Sequence, residues 1–249
     1  MRSSGRRAAC AFLAVSAVLA PLAAQEPPIA LEIQPSLLEL TPHASEGLTR
    51  TVTLVNSGRV PVSVVARVSD WAMDPAGQVS FVRPGRVPLS CAGWIRIDPE
   101  RQIVPAGGRA LARVTVQAPE AAAGTHWAAI LFELPETDTR LEGRAVTVVP
   151  RVGLTLYVTP KGSQREDFDF EDVSASATGS GSATLRAAFA NRGNTAVRAR
   201  LDWQIKSSDG KFVRTYKISS VVALPGSRRE AVANSDDMIP PGDYVVTAM

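Results

Sequence analysis

Residues that could carry out nucleophilic or metal chemistry are few in this sequence and far apart. The chain of 249 residues has two cysteines, Cys10 and Cys91, and two histidines, His43 and His126. A structural zinc site needs about four ligands, usually Cys or His at short spacings, and these residues have no such spacing. Cys91 and His126 could share a nucleophilic site with a carboxylate, but Cys91 lacks a catalytic sequence context. We expect no metal, no cofactor and no enzymatic activity.

Motifs that position substrates or ions are equally scarce. The sequence has no glycine-rich phosphate loop followed by a helix and no Gly-x-Ser-x-Gly elbow. Trp71, Trp94, Trp127 and Trp203 could stack on sugars, although isolated tryptophans in β runs usually belong to a sandwich core. The acidic run from Glu166 to Asp172 could hold calcium, but it lacks the spacing of a calcium-binding loop. We expect a solvated strand face there.

The first 24 residues have the organisation of a signal peptide. They contain a charged start, an apolar run and a small-residue cleavage site, formed by Arg2, Arg6 and Arg7, by Ala11–Leu22 and by Leu22–Ala24. The apolar run is shorter than the roughly 20 residues that cross a bilayer. We therefore predict export to the periplasm, with secretion or a cell-surface location as the alternative, and no integral membrane segment in the mature chain.

Cleavage after Ala24 changes both the charge and the cysteine content. It removes three of the 27 basic residues and none of the 24 acidic ones, which leaves 24 of each. A neutral chain has no long-range attraction to nucleic acid or to anionic membranes, so we exclude both as partners. Cys91 is then the one remaining cysteine, and an intramolecular disulfide cannot form. We expect Cys91 to be a small buried hydrophobe, or alternatively to form an intermolecular disulfide.

Short alternating runs separated by Gly, Pro, Asn and Asp predict an all-β fold. The two halves of the chain repeat an Asn-x-Gly hairpin, a Pro-Gly turn and a turn into a strand with a core aromatic, at Asn56 and Asn191, Pro105 and Pro225, Trp127 and Tyr244. We attribute the Asn-x-Gly motif to a need for positive φ. The repeat predicts two immunoglobulin-like β-sandwich domains in tandem, over residues 25–160 and 161–249, after a signal peptide over residues 1–24.

The repeat also shows a difference between the halves. A long closing strand, Val146–Val158, follows the Trp127 strand, whereas the strand opened by Tyr244 runs to Met249. The second sandwich is expected to lack its last strand. Either the sequence is truncated, or an open edge is left for another strand to fill.

The closing strand of the first half is the candidate partner-binding site. Val152, Leu154, Leu156 and Val158 alternate with more polar residues, and Pro150 before them suits an edge position. One interpretation is a strand that fills its own core. The other is β-augmentation, in which the strand pairs with a partner's incomplete sheet. The second predicts that a charge at Leu154 or Leu156 removes the partner while the first domain stays folded.

These segments resemble the periplasmic pilus-assembly chaperones and their PapD-like superfamily. The resemblance is carried by Thr51–Gly58, by Trp94–Pro99 with Pro105–Gly108, by Ala129–Glu133 and by Arg151–Pro160. It implies two immunoglobulin-like domains set at an angle. It also implies that the last strand of the first domain donates apolar residues to a fibre subunit, here Val152, Leu154, Leu156 and Val158.

The resemblance further implies a basic anchor for the subunit's terminal carboxylate in the cleft between the domains. The family draws one basic residue from the first strand and one from the last strand of the first domain. The predicted first strand here, Leu31–Leu40, has no Lys or Arg, and Arg151 is the possible anchor nearest the last-strand position.

Together these features predict a non-enzymatic, chaperone-like envelope protein that assists assembly of a surface fibre or envelope structure by edge-strand pairing. Its partner would be an extracytoplasmic protein, either a fibre subunit or another envelope component. The alternative is a secreted structural or adhesive immunoglobulin-like module that donates no strand.

Overall fold

The structure is a computed structural model that describes residues 30–141, 144–177, 182–211, 213–235 and 239–249. The predicted signal peptide, residues 1–24, lies outside this range. Among the described residues, no helix is long and apolar enough to cross a membrane.

The first half of the chain forms strands β1 to β12. Their bounds are β1 Leu31–Gln34, β2 Leu37–Leu40, β3 Gly47–Asn56, β4 Val62–Met73, β5 Val79–Val82, β6 Ile95–Asp98, β7 Arg101–Val104, β8 Arg109–Gln117, β9 His126–Glu133, β10 Thr137–Leu141, β11 Arg144–Val148 and β12 Arg151–Val158. One sheet has the order β1-β3-β8-β6, and the facing sheet has the order β2-β12-β9-β4-β5, with β7 also paired to β4. A short 3-10 helix, Ala92–Trp94, precedes β6.

Alternation along the strands makes the first core. Val52 and Leu54 of β3 and Val114 of β8 are buried between the two sheets, while the residues between them face outward, as the period of two requires. β9 is an exception because its side chains are buried on both faces. Its outer face packs against the second half of the chain.

The second half forms strands β13 to β18. Their bounds are β13 Phe168–Ala177, β14 Ala183–Asn191, β15 Val197–Ser207, β16 Val213–Ala223, β17 Arg228–Asn234 and β18 Tyr244–Ala248. One sheet has the order β13-β14-β17 and the other the order β16-β15-β18. Trp203, Phe189, Leu185 and Leu201 are fully buried between them.

The prediction of two immunoglobulin-like β-sandwiches is confirmed. Every strand ladder among the described residues joins strands of the same half of the chain. The exact domain boundary at residues 160 and 161 stays a prediction. Trp203 and Trp94 pack in or against the two cores, as expected of sandwich tryptophans.

The twin asparagines of the repeat have the same role in both sandwiches, but the reason differs from the predicted one. Neither Gly58 nor Gly193 has a positive φ. Instead, Nδ2 of buried Asn56 donates to the carbonyls of Val60 and Val104, at 2.8 and 3.2 Å. Asn191 donates in the same way across its own hairpin. Each asparagine therefore holds a hairpin to the Pro-Gly turn beside it.

The repeated Pro-Gly turns do require glycine. Gly107 and Gly226 have φ values of +61° and +69°, a region that other L-residues seldom adopt. The prediction of equivalent turns in the two halves is thus supported by their backbone.

The two sandwiches share a third apolar cluster, which includes Trp127. We expected Trp127 to lie in its own core, but its indole faces the second half of the chain and packs with Trp71, Tyr157 and Leu224. The Trp127 Nε1–H donates to the carbonyl of Trp71 at 2.9 Å. The prediction was wrong about this side chain because an antiparallel strand has two faces, and β9 uses both.

A buried arginine strengthens the contact between the sandwiches. Arg229 of β17 is 8% exposed, and its Nη1 donates to the carbonyls of Asp74 and Pro75 in the β4–β5 turn, at 2.9 and 3.1 Å. A Cβ on Gly77 of that turn would lie 2.6 Å from Arg229 Nη2. This turn therefore fits against the second sandwich because Gly77 leaves space for the guanidinium.

The acidic run of the second half forms ion pairs. Asp169 pairs with Arg192 at 3.4 Å, and Glu171 pairs with Arg228 at 2.6 Å. No group of His, Cys, Asp or Glu among the described residues is arranged to hold a metal ion. These carboxylates therefore lie on an exposed strand face beside arginines.

Candidate functional site

The closing strand β12 has neighbours on both edges for half of its length. It pairs antiparallel with β9 throughout, and its last four residues, Thr155–Val158, also pair in parallel with β2. Leu154, Leu156 and Val158 are fully buried in the first core, and Val152 packs against it half-buried. The structure thus brings the predicted donor residues together, but it places three of them inside their own sandwich.

The remaining part of this edge is open. We define the open edge as β11 together with Arg151–Leu154 of β12, because no described strand pairs with that side. The Thr155 and Thr159 amides donate towards β2, to the carbonyls of Ser36 and Leu40. Because backbone direction alternates along a strand, the N–H and C=O groups of Arg151 and Gly153 face the open edge.

A hairpin arm extends the open edge beyond the sandwich. β10 and β11 pair with each other, and the Leu134 amide donates to Pro150 at 3.0 Å where the arm joins β9 and β12. The expected single strand over Val146–Val158 is therefore interrupted at Pro150, which has no N–H to donate. Val146 is half-buried and Val148 is 37% exposed. These valines continue the alternation of β12 away from the core.

Arg151 forms an ion pair with Glu133 of the neighbouring strand β9. Its Nε lies 3.0 Å from Oε1 of Glu133, and the other oxygen of that carboxylate lies 3.7 Å from the Arg67 Nε. This arrangement places Arg151 on the outer face of the sheet. Its predicted role as a carboxylate anchor stays a prediction, and any ligand would have to compete with Glu133.

A cleft between the sandwiches is lined by a different basic residue, Arg198. A cavity of about 210 Å³ lies between the end of β12, the end of β2 and the start of β15. Arg198 of β15 lines it, and the Arg198 Nε donates to Glu39 of β2 at 2.6 Å. The guanidinium lies 5.2 Å from the ring centre of Tyr157, within the range of a cation–π contact.

Hydroxyl groups connect the two sides of this cleft. Thr125 and Thr159 hydrogen-bond to each other at 2.8 Å, and the Ala196 amide of the second sandwich donates to Thr125 Oγ1 at 2.9 Å. Burial raises the pKa of Tyr157, an effect that Arg198 opposes. The cleft is thus held by bonds from both sandwiches, with one acid and one base among its lining residues.

β18, the final strand that the structure describes, also has one paired edge. β18 pairs with β15, and no other described strand pairs with it, whereas the equivalent β9 lies between β4 and β12. Val245 of β18 is 63% exposed. The expectation that this sandwich lacks its last strand stays a prediction.

The candidate nucleophile Cys91 is shielded. Its side chain is 0% exposed, and burial, aided by the nearby Asp70 carboxylate, raises the pKa of the thiol to about 12. Burial also lowers the pKa of His126, whose ring packs on Trp94. No hydrogen bond among the described residues joins Cys91 to His126. This environment suits a structural cysteine better than a reactive one.

We expect native Cys91 to resist thiol reagents. In protein beginning at Gln25, its labelling by a disulfide reagent at pH 8 should be at least about a hundredfold slower than in urea, because a buried neutral thiol is a poor nucleophile. A Ser80→Cys variant supplies the control, since Ser80 lies exposed on β5. Rapid labelling of native Cys91 would contradict this expectation.

Sequence reasoning missed Glu39 and Arg198, which are 159 positions apart. Neither residue lies in a recognisable motif, and their pairing depends on the way the sandwiches pack. Val146 and Val148 could have been found from the continued alternation before Pro150. The break at that proline, however, separates them from the core residues.

Sequence comparisons find no match, whereas structural comparisons find several solved proteins of similar fold. No protein-family model matches the chain, and no curated protein matches it. The solved Class 5 fimbriae chaperone CfaA is 13% identical, with 88% of this chain and 98% of that chain covered and a TM-score of 0.49. The Pseudomonas aeruginosa chaperone CupB2 is 16% identical over 87% and 98%, with a TM-score of 0.45. The E. coli chaperone DraB is 15% identical over 87% of each chain, with a TM-score of 0.45. Over most of its length, the chain is similar in fold to these three solved chaperones.

Proposed function

We propose that this protein is a non-enzymatic, periplasmic chaperone that binds an extended segment of an exported partner along the open edge. The partner would be a fibre subunit or another envelope component. The observation that carries this proposal is the open edge itself, where the backbone groups of Arg151 and Gly153 face outward beside an arm with partly exposed valines. A strand that adds there gains backbone hydrogen bonds and apolar contacts at once.

In this proposal the contact residues differ from the predicted ones. Val146, Val148 and Val152 supply the apolar row, because they lie outside or at the margin of the core. Leu154, Leu156 and Val158 support the strand from within, since their side chains are fully buried. We therefore still propose pairing at an edge strand, but with contact residues that lie closer to the β10–β11 arm.

The cleft supplies a second contact in the same proposal. A partner carboxylate would meet Arg198, whose guanidinium lines the cavity and rests on Tyr157. Arg151 is less suitable because it does not line this cavity, and it pairs with Glu133 of β9 instead. Arginine binds carboxylates well because its planar donors match the two oxygens.

A structural or adhesive module remains the second candidate. The full burial of Leu154, Leu156 and Val158 favours it, because a strand that fills its own core has no need of a partner. The two candidates differ in what they predict for the open edge, which only the chaperone would use.

Site-specific photo-crosslinking tests the proposed function. A benzophenone amino acid at position 148, in protein produced with its signal peptide in the native host, should give an adduct with one exported protein. The same group at position 111 should give none, because Leu111 is more accessible than Val148, at 60% against 37% exposed, but belongs to β8 of the other sheet.

A proline variant makes this test specific for strand pairing. Gly153→Pro removes an N–H that faces the open edge, and an edge strand tolerates proline at such a position. The adduct at position 148 should be lost in this variant while its circular dichroism stays unchanged. An adduct that survives Gly153→Pro, or that forms equally from position 111, would contradict the proposal.

A further inference from the structure

In the protein without a partner, Glu39 forms an ion pair with Arg198, the basic residue of the interdomain cleft. Its carboxylate oxygen lies 2.6 Å from the Arg198 Nε, and these are the one acid and the one base among the residues that line the cavity. The pair bridges the two sandwiches, since Glu39 belongs to β2 and Arg198 to β15. The cleft therefore already contains a carboxylate of the protein's own.

The Arg198 guanidinium remains accessible. The Tyr157 ring holds it from one side, and its hydrogen bond to Glu39 uses Nε. The Arg198 side chain is 37% exposed and the Glu39 side chain 58% exposed. Both can exchange partners with solvent, so the ion pair is accessible rather than locked.

We propose that Glu39 is an internal competitor that masks Arg198 until a partner carboxylate displaces it. This inference rests on the carboxylate site proposed for the cleft. Without Glu39, a ligand carboxylate would meet one uncompensated positive charge and could bind side-on through Nε and one Nη. With Glu39 in place, it meets a neutral pair and finds Nε taken. A ligand carboxylate that only replaces Glu39 at Arg198 gains little binding free energy. Glu39 thus favours partners that also bind through the open edge.

The Glu39–Arg198 ion pair is weak because both side chains are partly exposed to solvent. Ion pairs between exposed side chains contribute modestly, and their loss corresponds to roughly a two- to fivefold change in an equilibrium constant. We therefore expect Glu39→Gln to tighten binding of a simple carboxylate at Arg198 by about that factor. Glutamine keeps the shape of the side chain and removes its charge.

Nuclear magnetic resonance of the arginine side chains measures this directly. Sodium acetate is added to nitrogen-15-labelled protein at constant ionic strength, and the Nε–Hε signal of Arg198 is followed, with Arg198→Lys for assignment. The dissociation constant for acetate should be two- to fivefold lower in Glu39→Gln than in the unchanged protein. Glu133→Gln is the matched control, because it frees Arg151 outside the cleft and should leave the Arg198 response unchanged.

The outcomes separate the mask from the site. Equal or weaker acetate binding in Glu39→Gln, with a response at Arg198 in both proteins, overturns the mask and leaves the carboxylate site in place. No response at Arg198 in either protein overturns both. Neither result affects partner pairing at the open edge, which the crosslink at position 148 tests independently.

Discussion

Leu154→Arg should unfold the first sandwich in buffer, whereas Leu111→Arg should change its free energy of unfolding by less than about 0.5 kcal/mol. Leu154 is 0% exposed and lies between the two sheets of the first core. The variant loses the burial of a large aliphatic side chain, worth roughly 1.5–3 kcal/mol, and places an unpaired charge in an apolar site at a further cost of several kcal/mol. A domain with a total stability of about 5–15 kcal/mol has little left after such a loss.

Urea denaturation followed by circular dichroism measures this effect, with Leu111→Arg as the control because Leu111 is 60% exposed. If the urea unfolding transition of the first sandwich were unchanged in Leu154→Arg, β12 would have to be able to leave the core. The alternation alone suggested that a charge at Leu154 or Leu156 would remove the partner while the domain stayed folded. The full burial of Leu154 and Leu156 leads us to expect unfolding instead, because the apolar face of β12 lies inside the core.

Asn191→Ala should lower the free energy of unfolding of the second sandwich by about 2–4 kcal/mol. The Asn191 Nδ2 donates to the carbonyls of Thr195 and Ala223 at 2.8 and 3.0 Å, and its Oδ1 accepts from the Gly193 amide at 3.0 Å. Alanine leaves these groups without the side-chain partner, and a buried polar group without a hydrogen bond costs about 1–3 kcal/mol.

Asn56→Ala should produce a loss of similar size in the first sandwich, because Asn56 makes the equivalent bonds to Val60, Val104 and Gly58. Asn234→Ala is the control, since Asn234 is exposed and its carboxamide accepts one bond, from Thr184 at 3.0 Å. The measurement is again urea denaturation. A loss at Asn191 no larger than at Asn234 would show that the Asn-x-Gly motif serves the turn alone.

The repeat was readable from the sequence because both of its turn types depend on local chemistry. A Pro-Gly turn needs a residue that tolerates positive φ, and Gly107 and Gly226 meet that need. The sequence also identified the asparagines as markers of a hairpin. It could not predict the hydrogen bonds by which they act, because the carbonyl of Val104 lies 48 positions from the Asn56 side-chain amide that donates to it.

The candidate site was only partly predictable for a related reason. The alternation of Leu154, Leu156 and Val158 showed that these side chains share a face. It could not show that β2, more than a hundred positions earlier in the chain, covers the edge of their strand at Thr155–Val158. Apolar alternation reports which side chains point together, and it is the same for a covered edge and an open one.

The amino-acid sequence by itself determined that this protein is all-β and built from two similar sandwiches, because alternation and turn chemistry act between near neighbours. The tertiary structure alone decided which strand edges are paired and which are open. It closed one half of β12, left the arm open and brought Glu39 to Arg198 across 159 positions. Those choices depend on how strands and sandwiches pack at long range, which no local pattern encodes.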